Sequence, residues 1–154
     1  MDIYDLLQKI RQPGARLGIG IWLLPRHLLG QEEILALRLD MQAIDARQFF
    51  LQSLPQGARF SGLTRQNGHF KLVEMVRQLT ERDFKRSCLL VHTLDLLLLG
   101  MEVDERKRFW LTVLEGIPYP NTKLVLTIPE GANELLPLEL KHHYAMYIAE
   151  GGIK

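Results

Sequence analysis

The chain has 154 residues, 47% hydrophobic and 24% charged, a length and composition that suit one folded domain over 1–154 without stabilising metals or disulfides. Its formal net charge of +1 removes any global attraction to nucleic acid. No apolar run approaches membrane-spanning length, since even Leu94 to Met101 carries Asp95.

In chain order, the first predicted element is a helix over Asp2 to Arg11, with Ile3, Leu6, Leu7 and Ile10 at helical spacing and Pro13-Gly14 ending it. Leu17 to Leu24 reads as a buried strand in which Gly18 and Gly20 permit close backbone approach, and Pro25 closes it. Ile34 to Leu39 reads as a second strand ending at Asp40. Asp45 is placed to cap a helix through Leu54 that packs through Ala46, Phe49, Phe50 and Leu54. Ala58 to Gly68 is polar and is the candidate binding loop. A helix is expected over 69–80 with Leu72, Val73, Val76 and Leu79 inward, then a third strand over 88–92.

Asp104 reads as the N-cap of a helix through Glu115, with Phe109, Trp110, Val113, Leu114 and Ile117 on one broad face and Gly116 just past its end. Residues 123–128 make a fourth strand, Asn133 to Leu136 a helical turn, and 144–149 a fifth strand. Continuous apolar runs separated by amphipathic helices are the pattern of strands buried on both faces. The expected fold class is therefore α/β, a single three-layer domain with a mainly parallel five-stranded sheet. His92 and Asp95 then lie where such a sheet presents side chains to a ligand, at its carboxyl edge.

The segment Leu89-Leu90-Val91-His92-Thr93-Leu94-Asp95-Leu96-Leu97, with this order of elements, resembles the core of a P-loop NTPase. The group it resembles places an extra strand between its phosphate-loop strand and its Walker B strand. It is similar in particular to the P-loop-containing F subunit of BREX phage-exclusion systems, one of the small ATPase-like subunits of bacterial defence. The resemblance implies a P-loop NTPase-like fold, a magnesium-supporting acid ending the third strand, a second acid near the catalytic water and a polar sensor on the fourth strand. Here His92 stands at the first acidic position, Asp95 at the second and Thr127 near the sensor. Arg106-Lys107-Arg108-Phe109-Trp110 would belong to the next helix.

The phosphate loop should follow the first strand, where the sequence is Pro25-Arg26-His27-Leu28-Leu29-Gly30. That segment has no Gly-rich nest, no Lys for the β- and γ-phosphates and no Ser/Thr for Mg2+. Those groups hold much of the transition-state charge in phosphoryl transfer. The expected function is thus a non-catalytic ATPase-like subunit acting as a protein-interaction module in a larger assembly, with no cofactor for the isolated chain. The alternative is a partner-dependent ATPase subunit, with ATP and Mg2+ bound in a complex. Asp95 would then be the candidate catalytic acid, and Arg26, His92, Asp95 and Thr127 the candidate nucleotide contacts.

Two other chemistries are open. A metal site would need His92 and Asp95 gathered with His142 or His143, because adjacent histidines do not pair on one strand or helix face. The stretch 59–86 carries Arg59, Arg65, Lys71, Arg77, Arg82, Lys85 and Arg86 against Glu74, Glu81 and Asp83. With Arg106, Lys107 and Arg108 it forms a candidate surface for DNA, RNA or a protein partner. Cys88, alone and inside an apolar run, reads as a buried thiol. With no signal-like leader in the sequence, it gives the expectation of a reducing cytoplasm.

Overall fold

A computed structural model describes residues 1–15, 18–53, 68–117 and 120–153. Its strands are β1 (Ile19–Leu24), β2 (Gln42–Asp45), β3 (Cys88–His92), β4 (Lys123–Pro129) and β5 (Ile148–Glu150). They form one parallel sheet in the order β2-β3-β4-β1-β5. β4 therefore lies between β1 and β3, with Ile21 opposite Leu126 on one side and Leu126 opposite Val91 on the other. Every residue of β1 is buried, which explains why its sequence shows no polar alternation.

Successive residues of the strands enter two separate cores, one on each face of the sheet. Trp22, Leu24, Leu90 and Val125 pack against α1 (Ile3–Ile10) and α2 (Glu32–Arg38). Ile19, Ile21, Leu89, Val91, Leu124 and Leu126 belong to the opposite core. That core also takes residues of α3 (Ala46–Ser53), α4 (Gly68–Glu81), α5 (Leu94–Leu99), α6 (Val103–Gly116) and α7 (Leu138–His143). The expected α/β three-layer domain with a parallel five-stranded sheet is what the chain forms. Its two fully buried indoles each find a carbonyl: Trp22 Nε1–H donates to Gly151 at 2.8 Å and Trp110 Nε1–H to Leu135 at 3.0 Å. Among the described residues no helix is long and apolar enough to cross a membrane.

Local chemistry sets the helix ends. Asp2 and Asp5 form a reciprocal capping box at the start of α1, and Ile3, Leu6, Leu7 and Ile10 are all buried as the spacing predicts. Asp45 caps α3 as expected, its Oδ1 accepting the Gln48 N–H at 3.1 Å. The helix expected over 69–80 runs from Gly68 to Glu81, while Leu54 and the candidate loop 58–68, except Gly68 itself, lie outside the described residues.

Four sequence expectations are corrected. Residues 34–39 are not a strand: 34–38 lie within α2 and Leu39 is its C-cap, and the helix buries Leu35 and Ala36 and leaves Ile34 and Leu37 59% and 71% exposed. Its end is fixed by Asp40 in the left-handed conformation (φ 57°), with Met41 N–H on the Ala36 carbonyl (2.7 Å) and Asp40 N–H on that of Leu37 (3.2 Å). This is the Schellman hydrogen-bond pattern, and Asp at the left-handed position performs the role usually given to Gly. The second strand is instead Gln42–Asp45. Asp104 is not the cap of α6; Glu102 precedes its first turn without a side-chain cap bond, and Asp104 lies inside that turn. Gly116 is the last residue of α6 rather than the one beyond it, with Ile117 as C-cap. Only Ile148–Glu150 of the fifth segment is extended, because 138–147 is taken up by α7 and a 3-10 turn over Ala145–Tyr147.

Candidate functional site

At the carboxyl edge of the sheet, β1, β3 and β4 end around a cavity of about 190 Å3 lined by Leu24, Leu29, Glu32, Thr93, Asp95, Leu96, Thr127 and Pro129. Two of the sequence-derived candidates, Asp95 and Thr127, meet here, joined by Glu32 and Thr93, which the sequence reading did not single out. His92 and Arg26 are not part of its lining. The volume lies below the roughly 300–1,000 Å3 of ordinary small-molecule pockets.

Two carboxylates dominate its electrostatics. Burial pushes the Asp95 carboxyl above the ordinary carboxylate value, the backbone N–H groups of Asp95 and Leu96 oppose this, and the nearby charge of Glu32 adds to the rise. Among the described residues no Lys or Arg lines the cavity. Thr127 is buried, and its hydroxyl donates to the Val91 carbonyl at 3.0 Å, so its proton ties β4 to β3. An anion entering this cleft would meet two carboxylates and a hydroxyl whose proton is already committed.

The loop leading from β1 spends three of its backbone donors internally. Pro25 ends the strand and Arg26–Leu28 makes a single 3-10 turn. The N–H groups of Leu28, Leu29 and Gln31 bond to the carbonyls of Pro25, Arg26 and Leu28 at 3.0, 3.2 and 3.1 Å. They do not converge as a phosphate nest does. The helix that follows opens with Glu32 and Glu33, which complement its own N-terminal dipole with fixed negative charge.

Thr93, on the same rim, is a β-branched residue held at φ 63° and ψ 10°. Such backbone costs about 1–3 kcal/mol and persists only when its surroundings hold it. Its hydroxyl donates to Asp45 Oδ1 at 2.6 Å and accepts the Arg47 N–H at 3.3 Å. Burial raises the Asp45 carboxyl, but the Thr93 hydroxyl, the Gln48 N–H, the adjacent His92 and the Arg47 N–H outweigh it and hold Asp45 below its ordinary value. His92 stands beside Asp45 in the β2–β3 register. Asp45 and Thr93 thus lock the end of β3 to the start of α3.

The remaining candidates are scattered. Among the described residues no three His, Cys, Asp or Glu side chains form a metal-holding group, so His92 and Asp95 are not gathered with His142 or His143, which are exposed on α7. Cys88 is fully buried, and burial pushes its thiol up to about 11, which makes it inert.

Among the described residues, several cations of the basic strip lie against acidic or aromatic side chains. Arg59 and Arg65 lie outside the described residues. Lys71 and Arg77 are exposed on α4, where Arg77 lies 3.9 Å from Glu74. Arg82 sits over the Phe49 ring at 5.2 Å and Arg86 pairs with Asp40. On α6, Lys107 pairs with Glu139 at 2.8 Å and Arg108 with Glu105 at 3.5 Å, while Arg106 is half-buried. Glu105 also accepts from His69, and that bond, against a small opposing effect of burial, lowers its carboxyl below the usual range.

Glu32 was legible only to a reading that made 32–38 a helix after the loop. Nothing in the sequence marks Thr93, since a β-branched residue is the last choice for a left-handed position. Comparison of the chain with protein-family models, with curated proteins and with solved structures returned no match. The class defined by the coordinates is that of a three-layer α/β domain with an acidic cleft at the carboxyl edge of a parallel sheet.

Proposed function

We propose that this chain is a non-catalytic, P-loop NTPase-like subunit that acts as a protein-interaction module in a larger assembly. Its strand order supports the ATPase-like half of the reading, because β4 is inserted between β1 and β3 as in the NTPase group the sequence resembles. One observation carries the non-catalytic half: among the described residues, the cleft where such a fold would hold phosphates is lined by Glu32 and Asp95 and by no cation. A triphosphate there faces repulsion where catalysis needs preorganised positive charge. The N–H groups of Leu28, Leu29 and Gln31, spent on carbonyls of their own loop, support the same half. The resemblance to the BREX F subunit makes phage exclusion the proposed setting, with the other subunits of such a system as partners.

The test is co-purification with neighbouring gene products, followed by ATP turnover of the assembly with and without Asp95→Asn. Assembly without Asp95-dependent turnover is the expected result. Turnover that disappears in Asp95→Asn while assembly persists would replace this reading with the partner-dependent ATPase. The nucleic-acid reading is less favoured, because Glu74, Glu105, Asp40 and Glu139 lie against basic residues of the candidate surface.

A further inference from the structure

The two edges of the sheet are finished differently. At one, β5 is only three residues long and the Glu150 N–H is covered by the Met1 carbonyl at 3.0 Å. At the other, β2 pairs with β3 alone, and among the described residues no strand pairs with its outer side. Gln42-Ala43-Ile44-Asp45 contains no Pro, Lys or Arg, the devices that commonly keep an edge from pairing. The only charge in it, Asp45, is engaged by Thr93.

Beside this edge lies a groove of about 340 Å3 between α2 and β2, walled by Ala36, Leu37, Met41 and Ala43. Leu37 at 71% exposure and Ile34 at 59% extend the apolar surface along α2. An edge with unpaired backbone groups next to exposed aliphatic side chains has a strand with its own apolar flank as its complement.

The charges at the ends of the groove give the orientation. Glu33, on the first turn of α2, bounds it toward the carboxyl edge of the sheet, where the neighbouring Glu32 lines the acidic cleft. Lys85 and Arg86, just before β3, bound it toward the amino edge. Arg86 pairs with Asp40, whereas Glu33 and Lys85 have no ion-pair partner among the described residues.

We propose that a second copy of this chain docks on the β2 edge, the two β2 strands running antiparallel about a twofold axis perpendicular to the sheet. That symmetry brings Glu33 of each copy toward Lys85 of the other, so one complementary pair occurs twice. It also keeps both α2 helices on the same face, flanking the seam with Ile34 and Leu37. A self-complementary patch of this kind is what an isologous dimer requires. A parallel arrangement would set Glu33 near Glu33 and Lys85 near Lys85.

The experiment is mass determination by light scattering and sedimentation on the full chain at micromolar concentration. The expected species is a dimer. Lys85→Glu and Glu33→Lys should each shift it to monomer, Leu37→Glu should do the same, and the Lys85→Glu/Glu33→Lys double variant should restore the dimer. Circular dichroism of each variant establishes that the fold is intact, since all three side chains are exposed. A wild-type monomer, or a dimer indifferent to all three single substitutions, overturns the proposal. If the wild type is monomeric and hydrogen exchange of β2 slows only on adding a partner protein, the groove belongs to a foreign strand instead. None of these outcomes depends on nucleotide, so failure here leaves the non-catalytic reading standing.

Discussion

Replacing Asp45 tests the lock at the rim of the acidic cleft. Its carboxylate accepts the Thr93 hydroxyl at 2.6 Å and the Gln48 N–H at 3.1 Å. Asp45→Asn keeps an oxygen for both donors but removes the charge. Hydrogen bonds to charged groups contribute about 1.5–3 kcal/mol against about 0.5–1.5 for neutral ones, and relief of Asp45 desolvation returns part of the difference, so the net loss is about 1 kcal/mol. Asp45→Ala also removes the cap of α3 and frees a strained Thr93, a loss of about 2–4 kcal/mol. Because Asp45 is held below its ordinary value, its carboxylate stabilises the fold above the unfolded pKa, and that contribution disappears as pH falls through the folded value. Urea unfolding at pH 7 should therefore show the full gap between wild type and Asp45→Asn, and the gap should narrow below about pH 4. A double-mutant cycle with Thr93→Val should report favourable coupling. Equal stability at pH 7, a gap that persists in acid, or additive single effects would refute the reasoning.

Three further perturbations have defined outcomes. Gly20→Ala places a Cβ 2.7 Å from Leu6 Cδ1 and 2.9 Å from its Cγ, so the whole buried side chain must move; a loss of about 1–3 kcal/mol is expected in chemical denaturation, and the same substitution should cost less when made in a Leu6→Ala background. Glu105→Ala strips His69, only 7% exposed, of its partner and removes the acceptor of the His69 N–H. It should destabilise by about 1–3 kcal/mol and speed hydrogen exchange in the first turn of α4 before the rest of the sheet. Trp110→Ala empties a fully buried site and orphans the Leu135 carbonyl; a loss of about 3–5 kcal/mol should appear in thermal and urea melts.

The buried strands were legible because β1, β3 and β4 are apolar on both faces, with Pro25, His92 and Pro129 marking their ends. The helices α1, α4 and α6 were legible because their inward positions recur at helical spacing. Reading 34–39 as a strand failed for a physical reason. α2 is a seven-residue helix with Ile34 and Leu37 facing outward, so its apolar residues do not confine themselves to one stripe. The acids at its start, Arg38 in its last turn and Asp40 beyond its end were the better signals. The error hid Glu32, which sits opposite Asp95 only because 32–38 is helical. Asp95 was found because it follows the apolar run of β3, and Thr127 because the resemblance places a polar sensor on the fourth strand. The Asp45–Thr93 contact was not, since it joins residues 48 apart through a backbone conformation that no local pattern foretells.

The central claim is that the carboxyl-edge cleft does not hold a phosphorylated nucleotide. Calorimetric titration of the isolated chain with Mg-ATP, with turnover followed on the same sample, tests it most directly. The account predicts no saturable heat and no turnover above background, and the same result for Asp95→Asn. Stoichiometric micromolar binding or steady turnover in the wild type, abolished in a folded Asp95→Asn, would contradict it.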